Sequence, residues 1–405
     1  MSSVICVTDG LADHEAWATH LHMRGYETIM TDVQALGSLK SDAWARCGLL
    51  VSQSAAKKLA SDTAGFVGWC RRLKAERIIV LGEAGPHFEV KGEFNGSVLR
   101  IRPAVNGWRF AAEVAARFLD EEQGVAVGDP STFNLLRLAR RVAMSDVTVM
   151  LVGPTGTGKE VVSRFLHNSS KRKREPFIAV NCAAVPDSML EAVLFGYERG
   201  AFTGAHQPNK GIFRAADGGT LLLDEVSEMA LPLQAKFLRV LQEKEVTPLG
   251  STKAVPVDVR VIATSNRYML DEVKAGRFRE DLYYRINVFP LATQALSARP
   301  GDILPISISL LSKHSGGFSN LPELSEAAIE KLEGYNWPGN VRELENVLQR
   351  AIVLAGGKEI DVDHLMIDPQ DLVRVHEALR NSPDFLAMPA PVVAPAPVRR
   401  KAAVA

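Results

Sequence analysis

The eight residues Gly153-Pro154-Thr155-Gly156-Thr157-Gly158-Lys159-Glu160 combine backbone freedom with a single cation. They follow a β-branched run, Val147–Val152, and precede a helical stripe of Val161, Val162, Phe165 and Leu166. Strand, glycine loop and helix in that order make a phosphate cradle. The glycines let backbone N–H groups turn toward phosphate oxygens, and the helix N-terminus adds positive potential. Lys159 would reach the β and γ phosphates of a nucleotide such as ATP. Glu160 stands where a Ser or Thr hydroxyl ordinarily ligates magnesium, and Pro154 removes one N–H from the loop. A tight turn before a helix is the plain alternative, and it does not require this spacing.

A second apolar run ends in acids. In "GGTLLLDEV", Thr220–Leu223 precede Asp224 and Glu225, which places the pair at the carboxyl edge of a strand, where nucleotides lie in open parallel sheets. Asp224 would hold Mg²⁺, directly or through water, and Glu225 would polarise the attacking water. A third run, "VRVIA" (259–263), ends in Thr264-Ser265-Asn266. These polar groups could sense a γ phosphate, although turn capping explains them equally well. Arg279 and Arg285 fall on one expected helix. A guanidinium from a neighbouring subunit would neutralise transition-state charge; Glu280 and Asp281 offer the alternative of a solvated, ion-paired face. In "YNWPGNVRELENVLQRAIVL" (335–354), Asn340 and Glu343 have capping-box spacing, and Val341, Leu344, Leu348 and Ile352 form an apolar stripe. Arg342 sits in the first turn, where the helix dipole disfavours a cation, so a phosphate contact would explain it. Lastly, Gly200-Ala201-Phe202-Thr203-Gly204-Ala205 carries one ring in a neutral, glycine-flanked stretch. Such a ring exposes apolar area, which suits a moving contact better than a fold element.

Three composition regimes position these residues. Residues 1–122 alternate short apolar runs ("VICV", "GLLV", "RIIVL", "VLRI") with helical patterns, which predicts a doubly wound α/β domain. The polar stretch 120–131 reads as a linker. Residues 127–299 and 300–370 are dense in strand and helix signals, and 371–405 read as a short amphipathic piece (Leu372, Val375, Leu379) followed by a disordered Pro/Ala-rich tail. Of 405 residues, 46% are hydrophobic, and Lys+Arg and Asp+Glu are both 47, so no overall charge favours nucleic acid. The run "KRKR" (171–174) reads as a solvated loop. Four cysteines without a C-x-x-C pair suggest reduced, buried thiols in a cytoplasmic protein. Neither a signal peptide nor an apolar run long enough to span a membrane is expected.

Taken together, these residues resemble the AAA+ domain of the bacterial enhancer-binding proteins that activate sigma-54 RNA polymerase, over about residues 127–366. Gly200–Ala205 matches the family's GAFTGA signature without a change. The resemblance implies an α/β fold: an AAA+ P-loop domain with a helical lid, preceded by a receiver-like doubly wound α/β domain. It implies that Gly153–Glu160 is the Walker A segment, whose family version also carries an acid after the lysine, and that Asp224 and Glu225 are Walker B. Asn181 is similar to the asparagine that couples the catalytic glutamate to the surface loops. Ser265 and Asn266 fall on sensor I, Arg279 and Arg285 on trans-acting arginines, and Arg342 on sensor II. Gly200 to Ala205 would contact sigma-54, with Phe202 as the apolar and Thr203 as a polar contact. ATP, Mg²⁺ and a hexamer follow from the same resemblance. Pro154, Arg214 and "SARPGDI" (297–303) depart from the family pattern.

Residues 1–122 resemble a receiver in element order but offer Asp9 alone where an acid pair is expected, and Val51-Ser52-Gln53 without a phosphorylatable aspartate. They are similar to the pseudo-receivers of flagellar regulators. The reading helix that ends a usual family member is not apparent, so direct specific DNA binding is unexpected and co-assembly with a DNA-binding paralogue is implied. The alternatives are an ATPase-weak subunit that modulates another activator and a generic AAA+ remodeller.

Overall fold

The four apolar runs of the first hundred residues all become strands of one sheet. A computed structural model of the chain describes residues 3–36, 38–39, 47–60, 63–72, 75–119 and 124–367. The first unit contains β1 (Ser3–Val7), α1 (His14–Met23), β2 (Glu27–Thr31), α2 (Val33–Leu36), β3 (Cys47–Ser52), α3 (Gln53–Leu59), α4 (Thr63–Arg72), β4 (Arg77–Leu81), β5 (Glu89–Glu93), β6 (Val98–Arg102) and α5 (Trp108–Leu119). Sheet order is β2-β1-β3-β4-β6-β5, parallel except for the antiparallel edge strand β5. Covered on both faces, β3 is buried at every residue, hence its unbroken apolar sequence. The edge strands β2 and β5 mix polar and apolar residues and leave no such run.

The second unit begins with α6 (Pro130–Ala143), β7 (Val149–Val152), α7 (Lys159–Asn168), β8 (Phe177–Asn181), α8 (Asp187–Phe195), α9 (Gly211–Ala215), β9 (Thr220–Asp224) and α10 (Leu231–Glu243). It continues with β10 (Glu245–Val246), β11 (Val255–Pro256), β12 (Arg260–Ser265), α11 (Met269–Lys274), α12 (Glu280–Ile286) and β13 (Phe289–Ala292). Its main sheet is all parallel, in the order β13-β7-β12-β9-β8. Beyond it lie the helices of a lid: α13 (Ile303–His314), α14 (Glu326–Gly334) and α15 (Asn340–Leu354). The fold is thus the expected α/β arrangement, a P-loop sheet with a helical lid behind a doubly wound domain.

Several local expectations need correction. The stretch 120–131 is not linker to its end: Asp129 caps α6, its Oδ1 accepting the Ser131 N–H at 2.9 Å, and Pro130 opens the helix. Asn340 is not a cap. It is the first residue of α15 and its side chain reaches elsewhere, while Glu343 alone turns back, accepting the Gly339 N–H at 2.8 Å. Within "KRKR", Arg172 is tied down by Asp146, Asp258 and the Gly219 and Asp258 carbonyls, because its fork satisfies several acceptors at once. The short amphipathic piece and the Pro/Ala tail lie outside the described residues.

The first unit packs on the lid, a contact that no local pattern announces. Residues of α5 and α13 share one apolar core, and the rings of Phe118 and Phe318 meet edge to face at 5.9 Å. Arg109 of α5 pairs with Glu326 and Glu333 of α14. The buried Glu323 carboxylate accepts the Phe88 N–H at 3.2 Å, and burial raises its pKa. All four cysteines are free and buried, and burial pushes the Cys6, Cys70 and Cys182 thiols up to about 12. No helix among the described residues is long and apolar enough to cross a membrane.

Candidate active site

At the carboxyl edge of β7 the loop 153–158 turns into α7, and Gly158, with φ of 93°, occupies the position before the first helical residue. Thr157 Oγ1 donates to the Pro154 carbonyl at 2.8 Å and lies 2.7 Å from Thr293 Oγ1. Lys159 is buried, and its Nζ donates to the Gly153 and Pro154 carbonyls at 2.8 and 3.0 Å. Desolvation lowers its pKa, against the opposing pull of Asp224 and Glu225. Glu160 is exposed and pairs with Arg164 one turn on, so it meets the favourable end of the helix dipole without entering the loop.

Asp224 ends β9 with both carboxylate oxygens held. Thr264 Oγ1 donates to Oδ1 at 2.6 Å, and Asn181 Nδ2 donates to Oδ2 at 3.0 Å. Thr264 Oγ1 also accepts the Glu225 N–H at 3.0 Å. Glu225 has φ of 55° and ψ of 50°, a left-handed conformation that costs a non-glycine residue on the order of 1 kcal/mol and is found at functional sites. The expected partner of Asn181 was the glutamate; in this structure the amide is on Asp224. Its own Oδ1 accepts the N–H groups of Ala183 and Ala184, where the chain leaves for α8. On β12, Asn266 Nδ2 donates to Thr155 Oγ1 at 3.1 Å, which brings the strand edge onto the loop. Ser265 points elsewhere, accepting the Arg267 N–H at 3.0 Å.

Arg342 is exposed at the start of α15, beside Gly156. The other two arginines are not brought to this cluster. Arg279 precedes α12 and forks onto Asp281 at 3.0 and 2.7 Å, and Arg285 donates to the Leu241 carbonyl at 3.0 Å. A cavity of about 180 Å³ opens next to the loop, lined in part by Val125, Leu135, Gly158, Val161, Leu310 and Arg299. Thr264, expected at the strand edge as a phosphate sensor, instead holds the Asp224 carboxylate and the Glu225 backbone N–H, and Arg299, which no sequence pattern marks, ties the lid to the loop, its Nη2 donating to the Thr157 carbonyl at 2.7 Å.

The residues 200–205 form a separate, projecting turn. Gly200 N–H donates to the Ala205 carbonyl at 2.9 Å, and Gly200 and Gly204 have φ of 83° and 105°, values that favour glycine. Phe202 is 45% exposed and meets the ring of Tyr197 at 4.9 Å. The base is fixed: Tyr197 exchanges backbone bonds with Asn209, and Glu198 N–H donates to the Leu249 carbonyl at 2.9 Å. The turn thus combines an anchored base with an exposed tip.

Comparison with known proteins gives two family matches: the Sigma-54 interaction domain over residues 125–292 and the AAA+ ATPase lid domain over 297–378. The response regulator protein FleR of Pseudomonas aeruginosa is 53% identical over 253 residues, 62% of this chain and 52% of that protein. The transcriptional regulatory protein FlbD of Caulobacter vibrioides is 47% identical over 252 residues, 62% of this chain and 55% of its own length. The Sigma54-dependent transcriptional regulator SfnR of Pseudomonas fluorescens is 46% identical over 263 residues, 64% of this chain and 71% of that protein. The chain therefore spans about half the length of the first two relatives. Among solved structures, NtrX from Brucella abortus in complex with ADP aligns with a TM-score of 0.55 at 25% identity, over 94% of this chain and 92% of that one.

Proposed function

This chain belongs to the sigma-54-dependent transcriptional regulators, and we propose that within that family it is an ATP-hydrolysing activator that remodels the closed promoter complex of sigma-54 RNA polymerase through the loop Gly200–Ala205. One observation carries the reading: Asn181 holds the Asp224 carboxylate with one end of its amide and the first residues leading to α8 with the other. The chain continues from α8 into the Phe202 loop, so a displacement at the acids has a covalent path to the tip.

The parts fit ATP. Backbone N–H groups of the loop and the buried Lys159 would take the phosphates, and Arg342 would add a second cation from the lid. Glu225 would orient and polarise the attacking water. Mg²⁺, held by Asp224 directly or through water, would neutralise charge on the phosphates. Arg279 and Arg285, which lie away from their own site, would complete a neighbour's site in a hexamer. Sequence-specific DNA contact would fall to a DNA-binding paralogue, in flagellar gene control in the cytoplasm. A second reading, an ATPase-weak subunit that modulates another activator, is favoured by Pro154, which leaves the loop one N–H short and engages Lys159 through its carbonyl. ATPase rate at high protein concentration separates the two. For the activator itself the test is Thr203→Ala: hydrolysis within about twofold of wild type with open-complex formation lost supports the loop assignment, and normal open-complex formation removes it.

A further inference from the structure

Three consecutive carbonyls of the glycine loop accept hydrogen bonds from the hinge and lid. Asn340 Nδ2 donates to Thr155 O at 2.9 Å, the Val341 N–H to Gly156 O at 3.0 Å, and Arg299 Nη2 to Thr157 O at 2.7 Å. In a trans peptide the C=O of one residue and the N–H of the next point opposite ways. Fixing these carbonyls on the lid side therefore turns the N–H groups of Gly156, Thr157 and Gly158 away from it. Among the described residues the Gly156 and Gly158 N–H groups meet no backbone carbonyl, while the tight turn at Thr155–Gly156 leans the Thr157 N–H toward the Pro154 carbonyl. The approach is too close for a side chain, since a Cβ on Gly156 would lie 2.6 Å from Gly339 O.

Both side-chain donors are built for this. Asn340 is 4% exposed with φ of 53°, and its Oδ1 accepts the Leu296 N–H at 2.8 Å, so both ends of the amide are committed. Arg299 is also buried, and its Nη1 pairs with Asp302 at 3.1 Å. Asp302, fully buried, gathers the Gly128 and Asp129 N–H groups at 2.7 and 2.8 Å and the Thr132 hydroxyl at 2.5 Å. The arginine is thereby anchored at one end and directed at the loop by the other.

We propose that Asn340 and Arg299 are positioning residues for phosphate binding: the lid grips the outer rim of the loop and presets its inner N–H groups for phosphate oxygens. This rests on reading Gly153–Glu160 as a phosphate loop. The grip concerns phosphates and not the nucleoside, which separates it from a merely structural brace. Asn340→Asp keeps the acceptor for Leu296 but cannot donate to Thr155 O. Arg299→Lys keeps a charge for Asp302 but loses the fork.

In the full chain, affinities for ATP and for adenosine are measured by calorimetry and ligand-observed NMR, with the thermal midpoint of the nucleotide-free protein as control. Each variant is expected to bind ATP about tenfold or more weakly while adenosine binding stays within about twofold. Should Asn340→Asp fail to fold, Arg299→Lys decides. Wild type binding ATP with both variants keeping the wild-type ratio of ATP to adenosine affinity overturns the grip alone. Wild type failing to bind ATP overturns the phosphate-loop assignment, and this inference falls with it.

Discussion

The proposed function divides binding from hydrolysis at two residues. Lys159→Ala removes the buried cation of the loop and is expected to abolish ATP binding, whereas Glu225→Ala should bind ATP and hydrolyse it at less than about a hundredth of the wild-type rate; equilibrium binding and steady-state turnover measured on both variants check this. Thr264→Val keeps the shape but strips the donor to Asp224 and the acceptor of the Glu225 N–H. Turnover should fall about tenfold or more with ATP affinity changed less than about threefold, and an equal loss in both would place Thr264 in binding instead. The placement of Lys159, Asp224 and Glu225 at the carboxyl edges of two strands was legible in the sequence because it depends on neighbours a few positions away in a strand and its following turn. The contacts of Thr264, Arg299 and Asn340 were not, since their partners lie 40, 142 and 185 positions off and only the folded chain supplies them. Asn340 shows the cost of a local reading: its spacing to Glu343 suggests a cap, while the carbonyl of Thr155 claims its amide.

Elements were legible where burial makes them uniform. The runs at β1, β3, β4 and β6 stood out because central parallel strands face apolar surroundings on both sides, and β2 and β5 escaped notice because edge strands need not. The contact of α5 with α13 and α14 was invisible, as helix faces do not name their partners. It carries a titratable group. Burial raises the Glu323 pKa, so its carboxyl is protonated without cost below the ordinary glutamate range, and stability is lost as pH rises through the folded-state value. Glu323→Gln retains an acceptor for the Phe88 N–H and removes that cost. Its melting midpoint should exceed that of wild type by on the order of 1 °C near neutral pH, with the difference vanishing below about pH 4. A midpoint difference that grows on acidification would show that the carboxylate, not the acid, stabilises the contact.

At the scale of the whole molecule, the first unit rests on the lid, the lid donates hydrogen bonds to the glycine loop, and Asp224 connects through Asn181 to the chain that leads into α8. Arg279 and Arg285 stand outside this chain of contacts, engaged with Asp281 and the Leu241 carbonyl. If they complete a neighbour's site, specific ATPase activity should rise with protein concentration. Arg279→Ala and Glu225→Ala, each inactive alone, should then recover about a quarter or less of wild-type turnover when mixed, since some interfaces would join an intact acid to an intact arginine; no recovery at any ratio would confine the arginines to a structural role. The central claim is that phosphate chemistry at Lys159 and Glu225 sets the height of the Phe202 turn. The four native thiols are buried, so spin labels can be directed to Thr203→Cys at the tip and Arg239→Cys on α10. Distances between them, measured by electron–electron resonance in nucleotide-free, ATP-analogue and ADP forms, should shift by several ångströms between the ATP-like and ADP states, on the order of the loop rearrangements seen in regulatory interactions; one unchanged distance distribution in all three forms would contradict the account.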